Sequence, residues 1–161
     1  MATMVQPVRV ARRKLIDRTS SAAVCTGGVR GYEAGSAPSG QGIHGVVVTG
    51  LGGRVAGGTL THVHLWQPFT VHFLKALPLG DHDDPANEQV DPELTDARDT
   101  VHSVLLRPIG YGSGVEIDPA GHATGTPTTW EAGYLDWDGT KFRTATLNVG
   151  FIVFNAMECT R

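Results

Sequence analysis

Four histidines and two aspartates raise the first chemical question. His62, His64, His72 and His82, with Asp83 and Asp84, are residue types that hold metal ions. A His-Xaa-His pair on a strand puts both rings on one face, as metal sites use. A continuous strand, however, carries His72 roughly 26 Å beyond His64 at ~3.3 Å per residue. A tight hairpin at Gln67-Pro68 instead turns His72 to the opposite face. Neither geometry closes a three-ligand site with these residues, and a polar sheet face accounts for them better. Nucleophilic chemistry has less to stand on. No Gly-Xaa-Ser-Xaa-Gly occurs. Cys25 and Cys159 lack an adjacent histidine, and Ser36 and Ser39 sit in a Gly- and Pro-rich loop. Asp136 and Asp138 flank Trp137 like a carboxylate pair, but Asp138-Gly139 is turn chemistry. The expectation is a protein without catalytic residues, metal or cofactor.

Charge suggests surfaces instead. The 161 residues carry a net charge of −3. Residues 1–60 carry +5 and residues 61–161 carry −8. Such a split suits head-to-tail association or one acidic and one basic partner, unless the two halves interleave in the fold. The cations concentrate at Arg9, Arg12, Arg13, Lys14 and Arg18. No aromatic is interleaved with them, so single-strand stacking is not indicated. They form either a partner-facing or a solvated helix face. The acids are densest at residues 78–99, with Asp81, Asp83, Asp84 and Glu88 in a loop.

The elements that must position these groups follow from periodicity. Residues 7–22 read as a helix: Pro7 suits its first position, and Val8, Ala11, Leu15, Thr19 and Ala22 form one stripe. Residues 26–42 read as a loop with a short strand at Val29–Glu33. Residues 43–49 form a strand, and Gly50–Gly58 a glycine-rich turn or loop. Across 59–77 the odd positions Val63, Leu65, Phe69, Val71 and Phe73 are apolar, broken by Gln67. One parity persists across Pro68, so a long, bent strand is expected, with the proline at an edge or bulge. A second helix starts with Asp91 as N-cap and Pro92 at its first position, and Arg107-Pro108 ends it. Leu94, Ala97, Val101, Val104 and Leu105 are its apolar stripe. A strand at Gly114–Asp118 precedes a hairpin over 129–154, turning at Asp138-Gly139 and pairing Trp137 with Thr140. Apolar parity shifts between Phe142 and Ala145, which a bulge would reconcile. The fold class is α+β: a single domain over 1–161 with a largely antiparallel or mixed sheet, two flanking helices and long Gly-rich loops.

Leu, Ile, Val and Phe make up about a quarter of the chain, above the composition of a disordered one. Gly reaches 21 residues, which implies many turns. No apolar run approaches the ~18 residues of a membrane span. Met1–Asp17 is basic without a following apolar stretch, unlike a secretory signal. Cys25 and Cys159 read as free thiols of a reducing compartment.

The organisation resembles the tail terminator proteins of long-tailed bacteriophages, particularly those of actinobacterial hosts. The likeness is carried by the helix Val8–Ala22 and by Gly-Val-Arg-Gly-Tyr-Glu at Gly28–Glu33. It continues through His-Leu-Trp-Gln-Pro-Phe-Thr-Val at His64–Val71 and the helix Asp91–Leu106. It closes with Trp130–Asn155, where Gly-Tyr-Leu-Asp-Trp-Asp-Gly precedes the final long strand. The resemblance implies a homohexameric ring in the virion, assembled in the host cytoplasm. That ring caps the tail tube, stops its polymerisation, binds head-completion (neck) proteins and lets DNA pass without specific binding. It implies no active site and no membrane. On this reading Asp81, Asp83, Asp84 and Glu88 face the channel, while Arg9, Arg12, Arg13, Lys14 and Arg18 face outward or toward a partner. Two alternatives stand beside it: another neck or tail component, such as a stopper or tube subunit, and a small His-based metal enzyme of cupin-like type.

Overall fold

The computed structural model describes residues 7–31, 36–50, 54–58, 62–78, 83–107, 111, 115–119 and 128–158. The chain order is α1 (Pro7–Ser21), β1 (Val29–Gly31), β2 (His44–Thr49), β3 (Arg54–Gly58) and β4 (His62–Ala76). After a 3-10 turn at Pro85–Asn87 come α2 (Val90–Leu105), β5 (Val115–Ile117), β6 (Thr129–Trp137) and β7 (Thr140–Glu158). One mixed sheet contains all seven strands. β1 pairs parallel with β2, and every other pairing is antiparallel. The α+β class read from the sequence is the fold observed.

Two long strands form the spine. β4 has 15 residues and β7 has 19, and they pair from His62↔Glu158 to Ala76↔Phe142. β2 and β3 share the outer edge of β4, and β6 and β5 share the outer edge of β7. Pro68 lies inside this sheet, neither at an edge nor at a bulge. The reason is local. β2 ends opposite Phe69 and β3 begins opposite Trp66, so Pro68 faces the gap between them. Its carbonyl accepts from the Gly50 N–H at 2.9 Å, and no ladder bond requires its missing N–H. Gln67, which interrupts the apolar parity, donates from Nε2 to the Gly50 carbonyl at 2.8 Å. The interruption therefore caps the end of β2.

Both helices cover one face of the sheet. Ala11 and Leu15 of α1 and Leu94, Ala97, Val101 and Leu105 of α2 are buried there. They pack with Val47, Phe69, Val71, Phe73, Leu147 and Phe151. On the opposite face Val46, Leu74 and Phe142 form a second, smaller buried cluster. This second cluster corrects the expected bulge between Phe142 and Ala145. The register runs without a break from Trp137↔Thr140 to Thr129↔Asn148. Apolar parity shifts because Phe142 and Ala145 point to opposite faces and both faces are buried at that point.

Two further expectations are corrected. Arg54–Gly58, read as part of a glycine-rich loop, is a strand, because the long β4 supplies an edge that small residues can join. Asp91 is not the N-cap of α2. The helix begins at Val90, two residues before the expected Pro92, with Gln89 at the cap position and no side-chain cap bond. The hairpin turn matches its reading: Asp138 (φ 50°) and Gly139 (φ 75°) have the positive angles of a type I′ turn.

Candidate interaction surfaces

The histidines do not converge. His64 and His72 lie on the helix-free face of β4, eight residues apart on one continuous strand. His72 Nδ1 is 3.0 Å from Thr146 Oγ1 across the sheet, and burial lowers its pKa below the ordinary imidazole value. His62 belongs to β4 by its backbone, and Asp81 and His82 lie outside the described residues. Among the described residues no group of three or more His, Cys, Asp or Glu could hold a metal ion. Cys25 is half-buried against Val29 and Gly45, and burial pushes its thiol up to about 11. Such a thiol is a poor nucleophile at neutral pH. Cys159 lies outside the described residues.

The five helix cations divide by environment. Arg9, Arg13 and Lys14 are exposed. Arg12 lies across Gly31 of β1, where an added Cβ would come within 2.0 Å of its Nη2. Arg18 donates to the Arg107 carbonyl at 2.7 Å and stacks over the Tyr111 ring at 3.9 Å. Tyr111 is fully buried, donates its hydroxyl to the Leu105 carbonyl, and meets Phe151 edge-on at 4.8 Å. Burial pushes its phenol up to about 12, against a smaller opposing pull from Arg18. Arg18 is thus a structural clasp between α1 and the end of α2. Nothing in the spacing of the helix cations separates it from its exposed neighbours.

The acidic segment also divides. Asp83 and Glu88 are exposed, and Asp84 is half-buried. With Asn87, Tyr134 and Arg143 they border a cleft of about 210 Å³ beside the first turn of α2. Arg143 of β7 makes a bidentate pair with Asp91, at 2.7 and 3.0 Å. This pairing holds the Asp91 carboxyl below its ordinary range. Lys75 of β4 pairs with Glu93. These pairs fasten the N-terminus of α2 to the sheet, so Asp91 and Glu93 are anchors.

The charge split survives folding. Among the described residues the exposed cations are Arg9, Arg13, Lys14 and Arg107, three of them on α1. Exposed acids are most numerous on α2 (Asp91, Glu93, Asp96, Asp99) and the hairpin (Glu131, Asp136, Asp138), but Asp17 of α1 and Glu116 of β5 are exposed as well, so α1 is not purely basic.

The surface that sequence reasoning missed is β6. Seven of its nine residues are exposed. Trp130 (50% exposed) and Tyr134 (49%) stand on the helix side, and Leu135 (39%) on the other. Trp130 is framed by Arg98 at 4.9 Å and His102 at 5.3 Å, both from α2. Tyr134 lies under Arg143 at 4.4 Å. The outer edge of β6 has no partner strand among the described residues. One signal was available: its apolar residues occupy both parities, which no strand with a single buried face needs. Around Leu135 the helix-free face opens into an apolar groove of about 440 Å³, lined by Val46, Val48, His72, Leu74 and Trp137. The 36–38 segment reaches the hairpin tip, where the Ala37 N–H donates to Asp138 Oδ2 at 2.7 Å. Arg30 lies 5.1 Å over the Trp137 ring. The sheet is therefore curled around this groove.

The class these features define is a small α+β protein whose helices cover one sheet face and whose β6 edge is uncovered. No protein-family model matches the chain, and no curated protein is significantly similar to it. No helix among the described residues is long and apolar enough to cross a membrane.

Proposed function

We propose that this chain is a structural subunit that works by self-assembly, as a ring-forming tail terminator of a long-tailed bacteriophage. In this reading it caps the tail tube, halts its growth and offers its other face to the neck proteins. It requires no catalytic group and no cofactor. One observation carries the proposal: the nine-residue strand β6 displays Trp130, Tyr134 and Leu135 to solvent on a sheet that is otherwise well packed. An exposed edge strand with aromatic side chains is a template for pairing, and soluble chains ordinarily cover or charge such edges. The order of elements quoted for the resemblance supports the particular assignment.

Within such a ring the acidic segment Asp81–Glu88 lines the DNA channel. A basic lumen would bind phosphates and slow the duplex, whereas an acidic one lets it slide. Negative-stain electron microscopy of the purified chain tests the assembly. The expected image is a six-fold ring with a central hole, and a monomer at every concentration would contradict the reading. The variant Asp81→Lys/Asp83→Lys/Asp84→Lys tests the channel. Tails of normal length with slowed DNA ejection are expected, and normal ejection would reject the lumen placement.

A further inference from the structure

We infer that the groove on the helix-free face binds a single-tailed amphiphile, an apolar body carrying one oxyanion head, with the body against Leu74 and Leu135 and the head at Arg30. The inference goes beyond the assembly reading and does not depend on it. The groove, of about 440 Å³, falls within the ~300–1,000 Å³ of small-molecule sites. Its apolar walls are Val46 and Val48 of β2, Leu74 of β4, and Leu135 and Trp137 of β6. An apolar body laid there removes its own surface and theirs from water. Polar groups are few. His72 borders the groove, lies 3.0 Å from Thr146 Oγ1 across the sheet, and is kept neutral at neutral pH by burial.

Charge selects the head. Arg30 of β1 is in register with Val46, and its guanidinium carbon stands 5.1 Å over the ring of Trp137, at the hairpin end of the groove. The side chain is half-buried and donates from Nη2 to the Ser36 carbonyl at 2.7 Å. No carboxylate pairs with it among the described residues. A guanidinium presents five N–H donors in a fixed fork, so donors remain for an oxyanion. Other cations of the sheet are engaged elsewhere: Lys75 with Glu93 and Arg143 with Asp91, both beside α2 on the opposite face. The nearby acids are accounted for as well. Asp136 borders the groove but alternates with Leu135 and Trp137 along β6, so its side chain leaves from the other sheet face, opposite Lys141. Asp138, at the turn, accepts from the Ala37 N–H at 2.7 Å. A cationic head would be repelled by Arg30, and a neutral one would leave its donors unused.

The test is calorimetric titration of the purified chain with three probes below their micelle-forming concentrations: decanoate, decyl phosphate and decanol. At least one anion should bind saturably and about tenfold or more tighter than decanol, because a charge-assisted pair separates the heads. The tighter anion identifies the head as carboxylate or phosphate. Arg30→Gln should remove the preference for the anions, and Leu135→Glu should weaken all three probes. Arg13→Gln, on exposed α1, should change none of them, and circular dichroism checks that each variant is folded. Amide chemical-shift changes on adding the tighter anion should fall on Val46, Val48 and Leu135. Decanol bound as tightly as both anions would overturn the inference. So would wild-type anion affinity in Arg30→Gln, or shifts confined to the helix side at Trp130 and Tyr134. A groove covered by a second copy would take none of the probes, which overturns it too. The probe comparison uses the wild-type chain, so it decides even where a variant fails to fold.

Discussion

Strands β6 and β7 are two arms of one hairpin, in unbroken register, yet they meet opposite environments. Phe142, Leu147 and Phe151 of β7 are completely buried, whereas Trp130 and Tyr134 of β6 are half exposed. β7 has a strand on each side and buried clusters on both faces. β6 is bonded only to β7 among the described residues. The contrast separates two uses of apolar surface. In β7 it is spent inside the subunit. In β6 it is held back from the subunit, and burial by a neighbour is the remaining way to remove it from water.

The sharpest way to break this contrast is to truncate on the β7 side. Phe151→Ala removes a ring that meets both Phe69 and Tyr111 edge-on, so urea unfolding should show a loss of about 3–5 kcal/mol. A loss below ~1 kcal/mol would place the core elsewhere. Next in size is Tyr111→Phe, which leaves the Leu105 carbonyl without its hydroxyl donor. Thermal unfolding should register about 1–2 kcal/mol. The same residue sets an alkaline limit. Its folded-state pKa is raised from 10.0 to about 12, so its contribution is intact below pH 10 and is lost as pH rises toward 12. The Tyr111→Phe variant should lose less stability across that window than the wild type does.

Smaller effects belong to the surface. Asp91→Asn should destabilise by no more than ~1 kcal/mol, because the Asp91 carboxylate is largely exposed even though its partner Arg143 is half-buried. Asp91 has a depressed pKa, so its contribution is present above the ordinary carboxylate range and is lost as pH falls through the lowered value. An acid-unfolding midpoint unchanged in Asp91→Asn would remove this anchor from the account. The smallest change in subunit stability, about 0.5 kcal/mol, is expected for Trp130→Ala, whose ring is already half exposed and meets only Arg98 and His102 of α2. Sedimentation should nonetheless show weakened assembly. A stable, fully assembling Trp130→Ala protein would end the special status of β6.

The core was legible in the sequence because its signals are local. The odd-position parity of β4, the stripe of α2 and the Asp138-Gly139 turn each specify an element without reference to any other. Their buried residues include Val71, Phe73, Leu94, Val101, Leu105 and Leu147, as the pattern predicts. What was not legible depends on distant partners. Pro68 is tolerated because β2 ends beside it, Phe142 is buried by a second cluster, and Arg18 clasps a tyrosine more than ninety positions away. The exposure of β6 is of the same kind, since the composition of a strand does not state which neighbours it lacks.

Amide hydrogen exchange along the hairpin, compared between dilute and concentrated protein, tests the division between β6 and β7 most directly. The outward-facing amides of Thr129–Trp137 should exchange rapidly when dilute and become protected on assembly, while β7 opposite them stays protected throughout. Equal protection of β6 under both conditions, in a protein that demonstrably assembles, would contradict the claim that this strand is where subunits meet.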